Sequence, residues 1–117
     1  MQEADLNSDG KNRHRLRRNV TIGERRTSVS LEGHVWLGLS DVCQREAIDI
    51  DALCTEVDRR RVRSSMSSAL RVFLLLYFRG LAEAIGNHHA AGRPDGAGHL
   101  AMALDVFSAG EQLREAA

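Results

Sequence analysis

The sequence predicts a mostly α-helical chain with one short β-strand, and three observations carry that expectation. Residues 26–31, Arg-Thr-Ser-Val-Ser-Leu, alternate polar and apolar side chains of β-favouring types, the period-2 signature of a strand. Directly after Glu32 the apolar positions shift to helical spacing, at Val35, Trp36, Leu39, Val42 and Cys43. From there to the C-terminus the apolar pattern stays helical, broken by a glycine-rich stretch. A length of 117 residues suits one domain, and 43% hydrophobic with 27% charged residues is an ordinary globular composition.

Each element has a local reason. Residues 1–19 are polar, lack apolar periodicity and include Asn7-Ser8-Asp9-Gly10, so they read as a flexible basic arm. Val20 and Ile22 form a weaker strand-like stretch that ends at Gly23. In the strand at 26–31, Val29 and Leu31 face one side while Arg26, Ser28 and Ser30 face the other. The first helix spans about 33–46 and tolerates Gly38 at a cost of about 1 kcal/mol against alanine. Asp49 has the chemistry of an N-cap for a second helix, which buries Ile50, Leu53, Cys54 and Val57 and ends near Arg61. A third helix starts at Ser65 to Ser68 and runs to about Ile85 through Leu70, Phe73, Leu74, Tyr77, Leu81 and Ala82. Between 72 and 78 it is apolar almost all round, which implies deep burial or cover by a partner. Asn87 to Gly98, with three glycines, the single proline and two histidines, reads as a flexible loop. A last amphipathic helix over 99–115 uses Leu100, Ala103, Leu104, Phe107 and Leu113. The expected division is therefore an arm (1–19), a domain with its third helix (20–86), and a loop with a C-terminal helix (87–117).

A net charge of zero hides a block pattern. Lys11, Arg13, Arg15, Arg17, Arg18, Arg25 and Arg26 against Glu24 make residues 11–31 strongly basic, and Arg59, Arg60, Arg61, Arg63, Arg71 and Arg79 do the same for 59–80. The intervening 32–58 is acidic. Two concentrated arginine segments can create a positive face that attracts a polyanion, the alternative being a solvated arm and a solvated helix face.

A lone strand has a hydrogen-bonding problem, because unpaired backbone groups on both edges do not persist in water. The expected solution is pairing with the same segment of a second chain about a two-fold axis, giving an intertwined homodimer with an intermolecular antiparallel ribbon. Arg26, Ser28 and Ser30 of both chains then project together into a DNA major groove, where arginine donates to guanine and serine bonds several base edges. The alternative is a hairpin of 20–22 with 27–31 whose outer face meets solvent.

The run Arg26-Thr27-Ser28-Val29-Ser30-Leu31-Glu32, then Trp36 and Leu39, then Ile48-Asp49-Ile50-Asp51-Ala52-Leu53 and Glu56-Val57-Asp58, resembles the ribbon-helix-helix family of bacterial DNA-binding proteins, with Ser67 to Phe73 (SSALRVF) similar to one of its branches. The resemblance covers about residues 20–80. It implies a dimer whose ribbon enters the major groove with Arg26, Ser28 and Ser30 reading bases. It also implies phosphate anchoring by the backbone amides of Ile50 and Asp51 at the start of the second helix. Asp49 and Asp51 depart from the small neutral polar residues common there, and two carboxylates beside a phosphate repel it. Arg17, Arg18 and Arg25 are expected to add contacts to the DNA backbone, and Val29, Leu31, Trp36, Leu39, Leu53 and Val57 to build the dimer core.

Other constellations carry no chemistry. Cys43, Cys54, His88, His89 and His99 lack zinc-ligand spacing, and no nucleophile-base order, phosphate-cradling loop or catalytic carboxylate pair is present, so neither metal, cofactor nor enzymatic activity is expected. Arg59 to Arg63 are read as capping the second helix in preference to contacting phosphate. The longest apolar run, Val72 to Phe78, is too short for a membrane span, and no secretory leader opens the chain. The expected function is that of a cytoplasmic homodimeric regulator, a repressor on a pseudo-palindromic operator. The alternative is an antitoxin-like module whose C-terminal helices bind a protein partner.

Overall fold

The strand that carries Arg26, Ser28 and Ser30 finds its hydrogen-bonding partner inside its own chain. In the computed structural model, which describes residues 15–86 and 98–116, β1 (Arg15–Ile22) and β2 (Arg25–Glu32) form an antiparallel hairpin, with Arg15 opposite Glu32 and Ile22 opposite Arg25. The two-stranded ribbon is present, formed within the chain along one edge of β2, and the hairpin is longer than the 20–22/27–31 pairing. Residues 15–19, expected in the arm, are the first five of β1. The loop explains why the hairpin closes: Gly23 sits at φ +65°, and a glycine-first two-residue connection matches the strand twist. Lys11 and Arg13 of the arm, and His88 and His89 of the loop, lie outside the described residues.

Four helices follow: α1 (Gly33–Glu46), α2 (Ile50–Arg60), α3 (Met66–Gly86) and α4 (His99–Ala116). Asp49 caps α2 as its chemistry predicts, its Oδ1 accepting from the Ala52 amide at 2.8 Å. Arg60 closes the same helix at its other end, donating to the Glu56 carbonyl at 2.7 Å, and Arg61 holds the following turn by donating to the Ser64 carbonyl at 2.8 Å.

One core joins all six elements. Val20, Ile22, Val29 and Leu31 from the hairpin meet Trp36, Leu39 and Val42 of α1, and Leu53, Cys54 and Val57 of α2. Ala69, Leu70, Phe73 and Tyr77 of α3 and Ala103, Leu104 and Phe107 of α4 complete it. The six residues expected to build a dimer core, Val29, Leu31, Trp36, Leu39, Leu53 and Val57, are thus already buried within a single chain. Cys54 is completely buried, and that burial pushes its thiol up to about 12, as expected of a packing cysteine. Tyr77 ties α3 to the end of α1 by donating to Glu46 Oε2 at 2.7 Å, and its burial raises the hydroxyl above the usual tyrosine range. Among the described residues no helix is long and apolar enough to cross a membrane.

Candidate nucleic-acid interface

Strand pairing sorts the hairpin into two faces. Residues directly opposite share a face, so Arg15, Arg17, Asn19 and Thr21 of β1 stand with Glu32, Ser30, Ser28 and Arg26 of β2 on the outer side. The inner side carries Val20, Ile22, Val29 and Leu31, which the helices cover. Arg26, Ser28 and Ser30 therefore do face away from the core, as alternation predicted. Four residues of β1 stand beside them, which the sequence reading did not place there. The signal was available: Leu16, Val20 and Ile22 keep one parity up to the Gly23-Glu24 loop, but Arg18 interrupts the apolar series.

Arg18 belongs to the inner side, where its guanidinium lies 5.2 Å from the centre of the Trp36 ring. Trp36 is itself held from the other direction, its Nε1 donating to the Leu16 carbonyl at 2.9 Å. Arg18 thus caps the core in place of an aliphatic residue, and it does not share the outer face with Arg17.

The hairpin is fixed to the helices along both strands. On β1, the Thr21 amide donates to Asp51 Oδ1 at 2.9 Å and the Gly23 amide to Thr55 Oγ1 at 3.0 Å. On β2, the Ser30 carbonyl accepts from Ser67 Oγ at 3.0 Å and from Arg15 Nη2 at 2.9 Å. Asp51, whose charge had no evident purpose beside an anchoring helix end, docks the strand onto α2. With Asp49 occupied by Ala52, the carboxylates at this helix start are both engaged in holding the fold, while the amides of Ile50 and Asp51 remain in the unpaired first turn.

The outer face is not uniform. At its Ser30 end, Arg15 Nε approaches Ser30 Oγ at 3.4 Å and Arg15 Nη1 lies 3.7 Å from Glu32, so the serine hydroxyl is partly covered. Glu32 also receives Nε and Nη2 of Arg71 at 3.0 and 3.2 Å. At the centre, Ser28 Oγ donates to Asn19 Oδ1 at 3.1 Å. The side chains of Arg17 and Arg26 are exposed and make no hydrogen bond or ion pair among the described residues. Arg25, on the helix side of the turn, lies 3.5 Å from Asp58.

The hydrogen bonds from Arg71 hold the Glu32 carboxyl below its ordinary range, helped by a backbone hydrogen bond and the nearby Arg15 charge. A carboxyl lowered on folding contributes stability above its unfolded value of 4.5, and that contribution disappears as pH falls through the lower folded value. Glu32→Gln is therefore expected to destabilise the protein at pH 6 but to converge with the wild type as the pH drops below 4.5, read from urea midpoints at each pH. A constant difference across the series would show that the ion pair is not its source.

The ribbon-helix-helix domain, as a family, matches residues 16–78, which spans the hairpin, α1, α2 and more than half of α3. No curated protein and no solved structure matches the chain. The match covers more than half of the 117 residues and coincides with a two-stranded ribbon followed by two helices, so the chain belongs to the ribbon-helix-helix domain family.

Proposed function

We propose that this protein is a sequence-specific transcriptional regulator that binds double-stranded DNA, laying the outer face of its hairpin in the major groove. The observation that carries the reading is the exposed, unpaired Arg26 beside Ser28 on the outward face of a ribbon in a family whose members are commonly DNA-binding regulators. A two-stranded ribbon has the width the groove admits, and guanidinium and hydroxyl groups are donors suited to guanine and to mixed base edges. Ser30 contributes from a half-covered position. Arg25, at the turn end of the hairpin, supplies attraction for the DNA backbone, Arg18 being turned to the inner side against Trp36, while the amides of Ile50 and Asp51 are a weaker anchor because two carboxylates share their turn. Two copies, each with its own hairpin, occupy the halves of a pseudo-palindromic operator, and the regulator represses by excluding other proteins from it.

Arg26→Ala is expected to cost about 1–3 kcal/mol on the preferred site and to relax preference at one base position in each half-site. A selection from random DNA at about 0.15 M salt reads this directly, since non-specific attraction is weakened there. Sequence preference that survives Arg26→Ala together with Ser28→Ala would overturn the base-reading assignment.

A second reading, a protein partner on the C-terminal helices, is favoured by the surface of α3 and α4. Leu75 is 65% exposed, Met102 63% and Val106 53%, and the last two flank a groove of about 350 Å³ that Leu76, Arg79, Glu83 and His99 also line. Loss of co-purification of a genomically adjacent partner on Met102→Ser/Val106→Ser, with DNA binding retained, supports it.

A further inference from the structure

The last two helices carry a face that nothing among the described residues covers. They run antiparallel: Glu111, near the end of α4, reaches Val62 and Ser64 just before α3, while Glu83, near the end of α3, shares a groove with His99 at the start of α4. On α4 the residues Met102, Val106, Ala109 and Leu113 recur at intervals of four, three and four, and all are exposed, Leu113 at 70%. That spacing is the seam by which one helix packs on another, and scattered surface exposure does not produce it. On α3 the exposed Val72, Leu75, Arg79 and Ala82 follow the same period. Arg79, Met102 and Val106 line one groove, so the two seams lie on the same side of the helix pair. The whole of α4 lies outside residues 16–78, so this face is not part of what the family shares.

Shape, charge and size select the occupant. An antiparallel helix pair with one apolar side is half of a four-helix bundle, and an identical half completes it about a two-fold axis parallel to the helices. Such an axis keeps every residue at its own level and sets α3 of one copy antiparallel against α4 of the other. Arg79 is level with Met102 and Val106 in its own chain, so it is level with Asp105 of the second copy. The charges agree with that arrangement. Between Val72 and Gly86 the charged residues are Arg79 and Glu83, and between Leu100 and Gly110 there is Asp105 alone. Within the chain Arg79 lies 3.7 Å from Glu83 with the two side chains 71% and 68% exposed, a contact of small worth that leaves the guanidinium open to a second carboxylate. The size is sufficient. An α4 of 18 residues is about 27 Å long and two helices side by side are about 20 Å wide, so two such faces together bury about 1,000 Å², where specific interfaces begin.

We infer that a second copy of this chain covers the face, α3 and α4 of both copies forming an antiparallel four-helix bundle with Arg79 of each opposite Asp105 of the other. The inference rests on the second reading above, that the C-terminal helices bind a protein, and it names that protein. The contact is separate from any pairing made through the ribbon, which the variants below leave untouched.

The test is the molar mass of the full chain by sedimentation over a dilution series, for wild type, Leu75→Glu/Val106→Glu, Arg79→Asp, Asp105→Arg, and an equimolar mixture of the last two. Wild type is expected to have at least twice the mass of Leu75→Glu/Val106→Glu. Arg79→Asp and Asp105→Arg should each lose mass in the same way, because each sets like charges opposite one another. Their mixture should recover the wild-type mass, because only unlike copies then pair arginine with aspartate. Equal mass of wild type and Leu75→Glu/Val106→Glu overturns the inference, and a mixture that stays at the lower mass overturns it as well. Either failure leaves the second reading standing on its own co-purification test, which detects a different protein. All four substituted positions are exposed, and urea midpoints matching the wild type show that a lower mass is not a loss of fold. If Leu75→Glu/Val106→Glu does not fold, the charge-exchanged mixture decides.

Discussion

Phe73→Ala is expected to lower the unfolding free energy by about 3–5 kcal/mol. Phe73 is fully buried in the middle of α3, its ring tilted against Tyr77 at a centroid distance of 6.2 Å. Truncation removes the transfer free energy of the ring and leaves a cavity that helices tied at several points cannot fill, because Tyr77 is bonded to Glu46 and Arg71 to Glu32. A domain of this size has about 5–15 kcal/mol in total, so the variant should unfold at a much lower urea concentration with an unchanged slope. A loss under 1 kcal/mol would mean that α3 is not part of the core described above.

Glu111→Ala is expected to cost about 3 kcal/mol and to release α4. Glu111 is 4% exposed, and its two oxygens accept separately from the Val62 amide and the Ser64 hydroxyl, both at 2.8 Å. Hydrogen bonds to a charged acceptor contribute about 1.5–3 kcal/mol each, and alanine removes both of these, from the Val62 amide and the buried Ser64 hydroxyl. The connection between α2 and α3 thus depends on a residue 47 positions downstream of Ser64. Hydrogen exchange should show α4 losing protection before the hairpin and α1, and Glu111→Gln, which keeps one good acceptor, should cost less than the alanine variant. Equal stability of Glu111→Ala and wild type would show that the buried carboxylate does not hold the helix.

These two residues differ in how visible they were. Phe73 lies on an apolar stripe with Leu70 and Tyr77, and helical spacing alone marks it as core. Glu111 is an ordinary glutamate in a helix, and nothing in its neighbours distinguishes a buried latch from a solvated charge. The same contrast runs through the interface. Alternation in 26–31 put Arg26, Ser28 and Ser30 on one face because a strand's side-chain period is exact. Asn19 and Arg17 escaped because the parity of β1 is masked by Arg18, which stacks on Trp36 where an aliphatic residue would have announced the strand. Asp51 escaped for another reason: its partner, the Thr21 amide, is 30 residues away and carries no side-chain signature.

The sequence by itself determined what depends on neighbours along the chain: the helices at 33–46 and from Ile50, the Asp49 cap, the outward set of β2, and, through its motifs, the family. Only the tertiary structure decided who pairs with that strand. An unpaired strand demands a partner with equal force whether it comes from the same chain or another, since the backbone groups to be satisfied are identical. Here Gly23 lets the chain turn in two residues, and Asp51, Thr55 and Trp36 hold β1 where it lands. Closure on β1 needs only a two-residue turn, and so one edge of that strand is satisfied within the chain.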